Sequence, residues 1–306
     1  MHSAQPRISV VIPLYNKETY IVRAVESALS QGAAVHEVIV VDDGSTDNGP
    51  AQLASLGDAR VRLIRQPNSG VSAARNAGIE AASSEYVAFL DADDAWLPGF
   101  AAELLALIQQ FPQACLYATS YVRVWPDGRR EDAYLPASLD PSKKQLVADP
   151  FRAWSRSAFF FTSSLCARRA VLLEQNIRFP VGESQGEDQD VIFQLMEVGE
   201  VAFSPRALTE YSQAVPDSLS SSLPERVLPC YVRLLQRARA AGYPAQHRRG
   251  ALRVVAVNYL NVARTLMAKG KWREAAGLIY SRDAMPHPTY WLRTALRLMR
   301  PTGKLK

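Results

Sequence analysis

Four short strand-like stretches, each stopped by a polar cluster, constrain this chain most: "ISVVIPLY" (8–15), "HEVIVVDDGSTD" (36–47), "RVRLIRQ" (60–66) and "EYVAFLDADD" (85–94). The first, second and fourth have apolar cores without alternation, as expected of strands buried on both faces, while the third sets Arg62 among its apolar residues. Between the first two, Tyr20, Ile21, Ala24, Val25, Ala28 and Leu29 recur at helical spacing, so a helix is expected over 17–31. Ser45 or Thr46 is expected to cap the helix after the second run. "NSGVSAARNAGIEAA" (68–82) opens with turn residues and continues as an Ala-rich helix. Strands alternating with helices predict an α/β sheet covered on both sides.

In such sheets ligands bind beyond the carboxyl ends of the strands. Those ends carry Pro13-Leu14-Tyr15, Asp42-Asp43 and Asp91-Ala92-Asp93, three polar clusters expected to converge on one crevice. Past residue 112 the pattern loosens. A hairpin is expected to turn at Pro126-Asp127-Gly128, and residues 130–150 read as a loop over the crevice. "GEDQDVIFQLMEVG" (186–199) reads as a short helix with acids in its first turn, where the helix dipole favours them. From Pro224 onward the chain is rich in Ala, Leu and Arg, with two antiparallel helices turning near Lys269-Gly270-Lys271. This predicts two domains, 1–221 and 222–306.

The net charge of +5 conceals an asymmetry. Residues 222–306 hold 17 lysines and arginines against three acids, a charge of +14, which leaves −9 for residues 1–221. A basic appendage on an acidic body implies an anionic partner or surface for the appendage. Cys115, Cys166 and Cys230 are far apart and odd in number, so buried free thiols are expected rather than a disulfide framework. The N-terminus shows no signal-peptide pattern. The run from Leu104 to Val122 contains Gln109, Gln110, Pro112 and Gln113, which argues against a membrane span. The expected location is cytoplasmic, with a peripheral position at the inner face of the membrane open to it.

Neither GxGxxG nor GxxxxGK[ST] occurs, so the two common phosphate-binding loops are absent. If a phosphorylated ligand enters the crevice, its charge needs another counter-ion, because carboxylates repel phosphate. A divalent cation, Mn2+ or Mg2+, would reconcile hard carboxylate oxygens with phosphate oxygens. The Asp91-Ala92-Asp93 spacing lets two carboxylates reach one pocket. The competing reading makes the cluster a turn or a helix cap before a helix at Leu97, with Asp94 as the capping residue.

Taken together, "SVVIPLYN" (9–16), "EVIVVDDGSTD" (37–47), "NSGVSAARNAGIEAA" (68–82), "YVAFLDADD" (86–94) and "GEDQD" (186–190) resemble the family 2 glycosyltransferases in order and spacing. The resemblance covers residues 8 to about 221. It implies a GT-A-type nucleotide-diphosphosugar transferase fold, a Rossmann-like mixed sheet flanked by helices, with an α-helical domain following it. It further implies a nucleotide-diphosphosugar donor, commonly UDP-linked, and inverting transfer to a hydroxyl of a glycan or lipid-linked acceptor. By this resemblance Pro13 and Tyr15 hold the base, Asp43 accepts from a base N–H, and Arg75 reaches the nucleotide. Asp91 contacts the ribose or donor sugar and Asp93 ligates the metal. Asp188 is the general base, with Glu187 supporting it.

Two departures from the family pattern matter. The chain lacks the QxxRW-type motif and flanking membrane spans of the processive members, which implies addition of one sugar or few. Where many relatives carry a histidine after the catalytic helix, "EYSQAVPDSLSSS" (210–222) has Tyr211, Ser218 and Ser220 but no histidine. A nucleotidyltransferase would want a Gly-rich basic loop near the N-terminus, and "VVIPLYNKETY" lacks one. A non-catalytic sugar-nucleotide-binding protein would have no need to keep Asp91, Asp93 and Asp188 together. Finally, "TYWLRTALRLMRPTGKLK" (289–306) sets Trp291 and leucines among arginines and lysines, which fits either an anionic membrane surface or a helix docked on its own domain. Nucleic acid fits the charge, but no recognition motif supports it.

Overall fold

The computed structural model describes residues 6–215 and 223–298. The chain divides into two compact units, Met1–Ala148 with Ser157–Ser218, and Asp149–Arg156 with Leu219–Lys306. Residues 149–156 thus group with the helical unit, inside the stretch that the sequence reading assigned to the first domain.

The first unit is a mixed sheet. Strands β1 (Ile8–Leu14), β2 (Val35–Asp42), β3 (Val61–Arg65) and β4 (Tyr86–Phe89) are parallel, in the order β3-β2-β1-β4. The two-residue β5 (Ala95–Trp96) follows directly, then β6 (Leu116–Val124), β7 (Arg130–Asp132), β8 (Gln145–Leu146), β9 (Leu165–Arg168) and β10 (Val201–Ser212). The sheet continues from β4 through antiparallel β9 to β6 and β10, which run parallel to each other. Helices α1 (Ile21–Leu29), α2 (Gly49–Ala54), α3 (Val71–Ala81) and α4 (Phe100–Gln110) fill the connections of this unit.

Strand alternation sends Ile8, Val10, Ile12 and Leu14 of β1 into a core with Ile21, Ala24 and Val25 of α1 and Phe100, Leu104 and Leu107 of α4. On the other face α3 lies against Val11. There Gly78 is required, because a Cβ at that position would stand 2.2 Å from Val11 Cγ1. Both faces are therefore covered, as the apolar runs predicted. The cysteines are all buried and unbonded.

Local details differ from expectation where tertiary contacts intervene. Helix α1 starts at Ile21 rather than 17, since Lys17 O closes a turn with the Tyr20 and Ile21 N–H groups. Neither Ser45 nor Thr46 caps α2. Ser45 Oγ accepts from Asn16 N–H (3.1 Å) and the Thr46 N–H donates to Asn16 Oδ1 (2.8 Å), tying the end of β2 to the end of β1. The helix expected at Leu97 begins at Phe100, because Ala95 and Trp96 pair with Glu210 and Thr209 of β10 and Gly99 makes the left-handed entry (φ 90°).

The hairpin at Pro126-Asp127-Gly128 forms between β6 and β7. The 130–150 segment, expected over the crevice, instead pairs β8 with Ala202 and Phe203 at the amino end of β10. It sets Lys144 3.5 Å from Glu103 of α4. Backbone pairing, which sequence spacing does not encode, draws it there.

Two further short helices occur before the sheet closes: α5 (Pro150–Trp154), which belongs to the second unit, and α6 (Arg169–Glu174). Helix α7 (Glu187–Val198) starts on Gly186 in the left-handed conformation. The second unit otherwise contains α8 (Pro229–Arg239), the long α9 (Ala245–Ala268), α10 (Trp272–Ile279) and α11 (Pro288–Leu298). Its own core is Leu260, Ala263 and Leu266 with Ala275, Ile279 and Ala295. Trp291 packs on this core and donates from Nε1 to Ile279 O (2.7 Å), leaving Leu292 and Leu296 exposed beside Arg293 and Arg297. Residues 299–306 of the basic tail lie outside the described residues, as do Ser218 and Ser220. Among the described residues no helix is long and apolar enough to cross a membrane.

Candidate active site

The carboxyl ends of β1, β2 and β4 meet, as the parallel order demands. After β4, Leu90 N–H still donates to Val11 O (3.0 Å), and then the chain turns, with Asp94 N–H donating to Asp91 O (3.0 Å). The three acids of the turn take different environments. Asp91 is partly exposed and accepts from Arg75 NH2 at 2.6 Å. Asp93 faces Lys17 Nζ at 3.2 Å, a residue just past β1.

Asp94 is buried and does not cap a helix. It accepts from Ser163 Oγ (2.6 Å) and from the Ser212 N–H (2.9 Å). Ser163 Oγ in turn accepts from the Asp91 N–H (3.0 Å), and Ser212 Oγ donates to Asp93 O. One buried carboxylate thus pins the acidic turn to a 3₁₀ turn at Thr162–Ser164 and to the end of β10.

Asp43 sits at the end of β2 and is buried. Oδ1 accepts from Gln66 Nε2 (2.7 Å) and Ser69 N–H (2.9 Å), and Oδ2 from Gly70 N–H (2.8 Å). That fills three of about four lone-pair sites and fixes the start of α3. Arg75, one turn into α3, is buried and forks between two elements: NH2 goes to Asp91, and NH1 to Glu187 Oε1 at 3.0 Å. Its Nε has no hydrogen-bond partner among the described residues, and its guanidinium stands 5.1 Å from the Phe179 ring centroid. Both terminal nitrogens of Arg75, a residue expected to reach the nucleotide, are engaged on carboxylates.

Through Arg75 the first turn of α7 joins the acids after β4. Glu187 is buried and its pKa is pushed up to about 7, by burial first and by Asp188 second, against the lowering pull of Arg75. Asp188 accepts from Thr162 Oγ1 (3.1 Å) and the Gln189 N–H (2.8 Å), and burial raises its pKa as well. Asp93 and Asp94 are raised by burial and then by their acidic neighbours. Five carboxylates therefore share a region in which Arg75 and Lys17 are the cations they pair with among the described residues. Negative charge in excess of its compensation must take up protons or cations.

Pro13 is half-buried near the end of β1, and Tyr15 is exposed (48%) on the loop after it, which is held by Glu18 N–H donating to Asp47 (2.8 Å) and Asn48 N–H donating to Glu18 (2.9 Å). The structure thus brings Pro13, Tyr15, Asp43, Arg75, Asp91, Asp93, Glu187 and Asp188 to one end of the sheet. Lys17, Thr162, Ser163 and Ser212 were missed. Lys17 was legible two residues past Tyr15, whereas Ser163 and Ser212 carry no local signal, being joined to the acidic turn only by folding.

A glycosyl transferase family 2 model matches residues 9–175. The chain belongs to the family 2 glycosyltransferases. The matched residues run from β1 past α6 and end before α7, so Glu187 and Asp188 lie beyond them. An uncharacterized glycosyltransferase of Nostoc sp. is 42% identical over 173 residues, 54% of this chain and 52% of that protein. The succinoglycan biosynthesis protein ExoO of Rhizobium meliloti is 49% identical over 94 residues, 30% of this chain and 27% of that protein. The chain thus spans about half the length of the first of these relatives or less of the second. Residues 1–349 of S. aureus TarS, solved with UDP-GlcNAc, superpose with a TM-score of 0.65 at 19% identity, covering 95% of this chain and 80% of that one. That likeness shows the GT-A fold for a family member with a helical C-terminal region.

Proposed function

We propose that this chain transfers a sugar, with inversion, from a nucleotide-diphosphosugar to a hydroxyl of a glycan or lipid-linked acceptor. The UDP-GlcNAc bound to TarS supports a uridine donor, and the likeness to ExoO supports a role in polysaccharide biosynthesis. The observation that carries the mechanism is the Arg75 bridge, which joins Asp91 to Glu187 and so brings the acids after β4 and those opening α7 into one site.

Glu187 is held by Arg75, whereas Asp188 has hydrogen-bond donors but no ion pair among the described residues, and its raised pKa makes it a stronger base than an ordinary carboxylate. Asp188 takes the acceptor hydroxyl proton as that oxygen attacks the anomeric carbon. The bond from that carbon to the diphosphate breaks, and its electron pair leaves with the phosphate oxygen. Glu187 and Arg75 position Asp188 and Asp91. Pro13, Tyr15 and Asp43 receive the base, and Asp91 the ribose or sugar.

The donor set fits a hard divalent cation: carboxylate oxygens with uncompensated charge, Asp93 already facing an ammonium group. Among the described residues no three His, Cys, Asp or Glu side chains form a complete metal cage. Asp93 would therefore hold Mn2+ or Mg2+ together with oxygens from the donor. Such an ion supplies Lewis-acid stabilisation to the departing diphosphate.

The test is release of nucleoside diphosphate from a panel of sugar nucleotides, with the product anomer read by NMR. Asp188→Asn should lower kcat by about 10²–10⁴-fold while nucleotide binding persists. Unchanged turnover would remove Asp188 as the base. Full activity of Asp93→Ala in the presence of chelator would remove the metal.

A further inference from the structure

The helical unit carries a concentration of the opposite charge. Arg152 lies on α5 and Arg156 follows four residues later; Arg249 and Arg253 stand four apart on α9. Arg249 and Arg253 at that spacing share a face of α9, while Arg156 lies two residues past the end of α5. The two helices meet at Gly250, where a Cβ would lie 2.7 Å from Phe151 Cβ and 3.2 Å from Arg152 N. Only glycine permits this approach, and it sets the two arginine pairs beside each other.

These four side chains differ from several arginines of the first unit. Arg60, Arg62, Arg168 and Arg178 each pair with an acid, at 2.6–2.8 Å. None of Arg152, Arg156, Arg249 and Arg253 makes a side-chain hydrogen bond or ion pair among the described residues. The nearby acid is Asp149, whose Oδ1 is taken by the Arg152 N–H (2.9 Å) as a helix cap. Arg253 is held below its usual pKa by burial and then by Arg156, Arg152 and Arg249. His287, buried at the same place, is lowered by burial and then by Arg253 and Arg156, so a neutral ring adjoins the guanidinium groups. Uncompensated like charge at a helix crossing weakens the fold unless something else uses it.

Guanidinium forks match phosphate oxygens two at a time. We propose that Arg152, Arg156, Arg249 and Arg253 form a binding site for a phosphoryl anion, a diphosphate or phosphate-ester group. The site belongs to the helical unit alone, so it stands or falls independently of Asp188 and the transfer reaction.

The full chain is titrated with inorganic pyrophosphate by calorimetry, in chelator so that no divalent cation bridges the anion to the acidic crevice. Arg249→Gln with Arg253→Gln should weaken binding by about tenfold or more, equivalent to roughly 1.4 kcal/mol. Arg273→Gln with Arg282→Gln, which removes equal charge from exposed positions of the same unit, should change it less than about twofold. Removing mutually repelling charge should leave Tm unchanged or higher. Should the double variant melt lower, Arg152→Gln at an exposed side chain repeats the comparison.

Co-sedimentation with phosphatidylcholine vesicles, with and without phosphatidic acid, separates the sources. Pyrophosphate binding alone identifies a soluble phosphoryl ligand, and added capture on phosphatidic acid identifies a headgroup. No binding of either probe, or equal losses in both double variants, overturns the proposal.

Discussion

Arg75→Met tests whether the acidic site is held together by charge compensation. In the native protein the guanidinium is buried, 2.6 Å from Asp91 and 3.0 Å from Glu187. Methionine keeps much of the volume over Phe179 but leaves both carboxylates without their cation. Removing one partner of a buried pair costs about 3–5 kcal/mol while the remaining charges persist.

The cost must then depend on pH. Glu187 has its folded pKa raised from 4.5 to about 7, so its contribution to stability is fully present below pH 4.5 and is lost as pH rises through about 7. Without Arg75 the folded pKa values of Glu187 and Asp188 climb further, since Arg75 is what lowers both. At pH 8 the variant must bury ionised groups that are uncompensated, and about 4 kcal/mol is expected. At pH 5 Glu187 is protonated in both proteins, and the deficit should shrink to about 1–2 kcal/mol, since each pKa unit is worth ~1.4 kcal/mol.

The assay is thermal or urea unfolding across pH 5 to pH 8. For a domain of this size about 2–4 °C accompanies each kcal/mol, so the Tm deficit at pH 8 should be roughly 8–16 °C. Adding Glu187→Gln to Arg75→Met should recover part of the loss at pH 8. A deficit that stays constant across this range would refute charge compensation and assign Arg75 to packing on Phe179.

Two other outcomes follow from the first unit. Gly78→Ala places a Cβ 2.2 Å from Val11 Cγ1, so overpacking should cost about 1–3 kcal/mol, and Val11→Ala in the same chain should restore most of it, read by urea unfolding. Burial pushes Glu37 up, but hydrogen bonds from Ser83, Ser9 and Arg62 outweigh it and hold the pKa at about 2. Its stabilisation is therefore present above pH 4.5 and lost as pH falls toward 2, at most about 3 kcal/mol. Glu37→Gln should be less stable than wild type at pH 7 and converge with it in acid, and a gap that persists in acid would count against this account.

How much could be read before folding depended on whether the signal was local. The four stretches marked their strands within a residue or two at most boundaries, because β1, β2 and β4, covered on both faces, are almost wholly apolar, and β3, only partly buried, still has apolar residues at its centre. "FLDADD" and "GEDQD" marked the acids of the site because each cluster was visible within a few positions. The start of α4 and the path of residues 139–146 were misread, since pairing of β5 and β8 with β10 decided them.

The sequence by itself determined a sheet covered on both faces, acids at its carboxyl edge, and a separate basic helical region. Each follows from residue type and short-range spacing. Only tertiary structure decided how the acids divide their work. Asp94 became a buried anchor because Ser163 and Ser212 arrive from 69 and 118 residues away. Among the described residues Asp188 has no ion pair, because Arg75, 112 residues from Glu187, reaches that neighbour instead. Four arginines that look like scattered surface charge became one cluster because Gly250 lets α5 and α9 touch. A charge has its chemistry set by its nearest counter-charge, and which charge is nearest is a property of the fold.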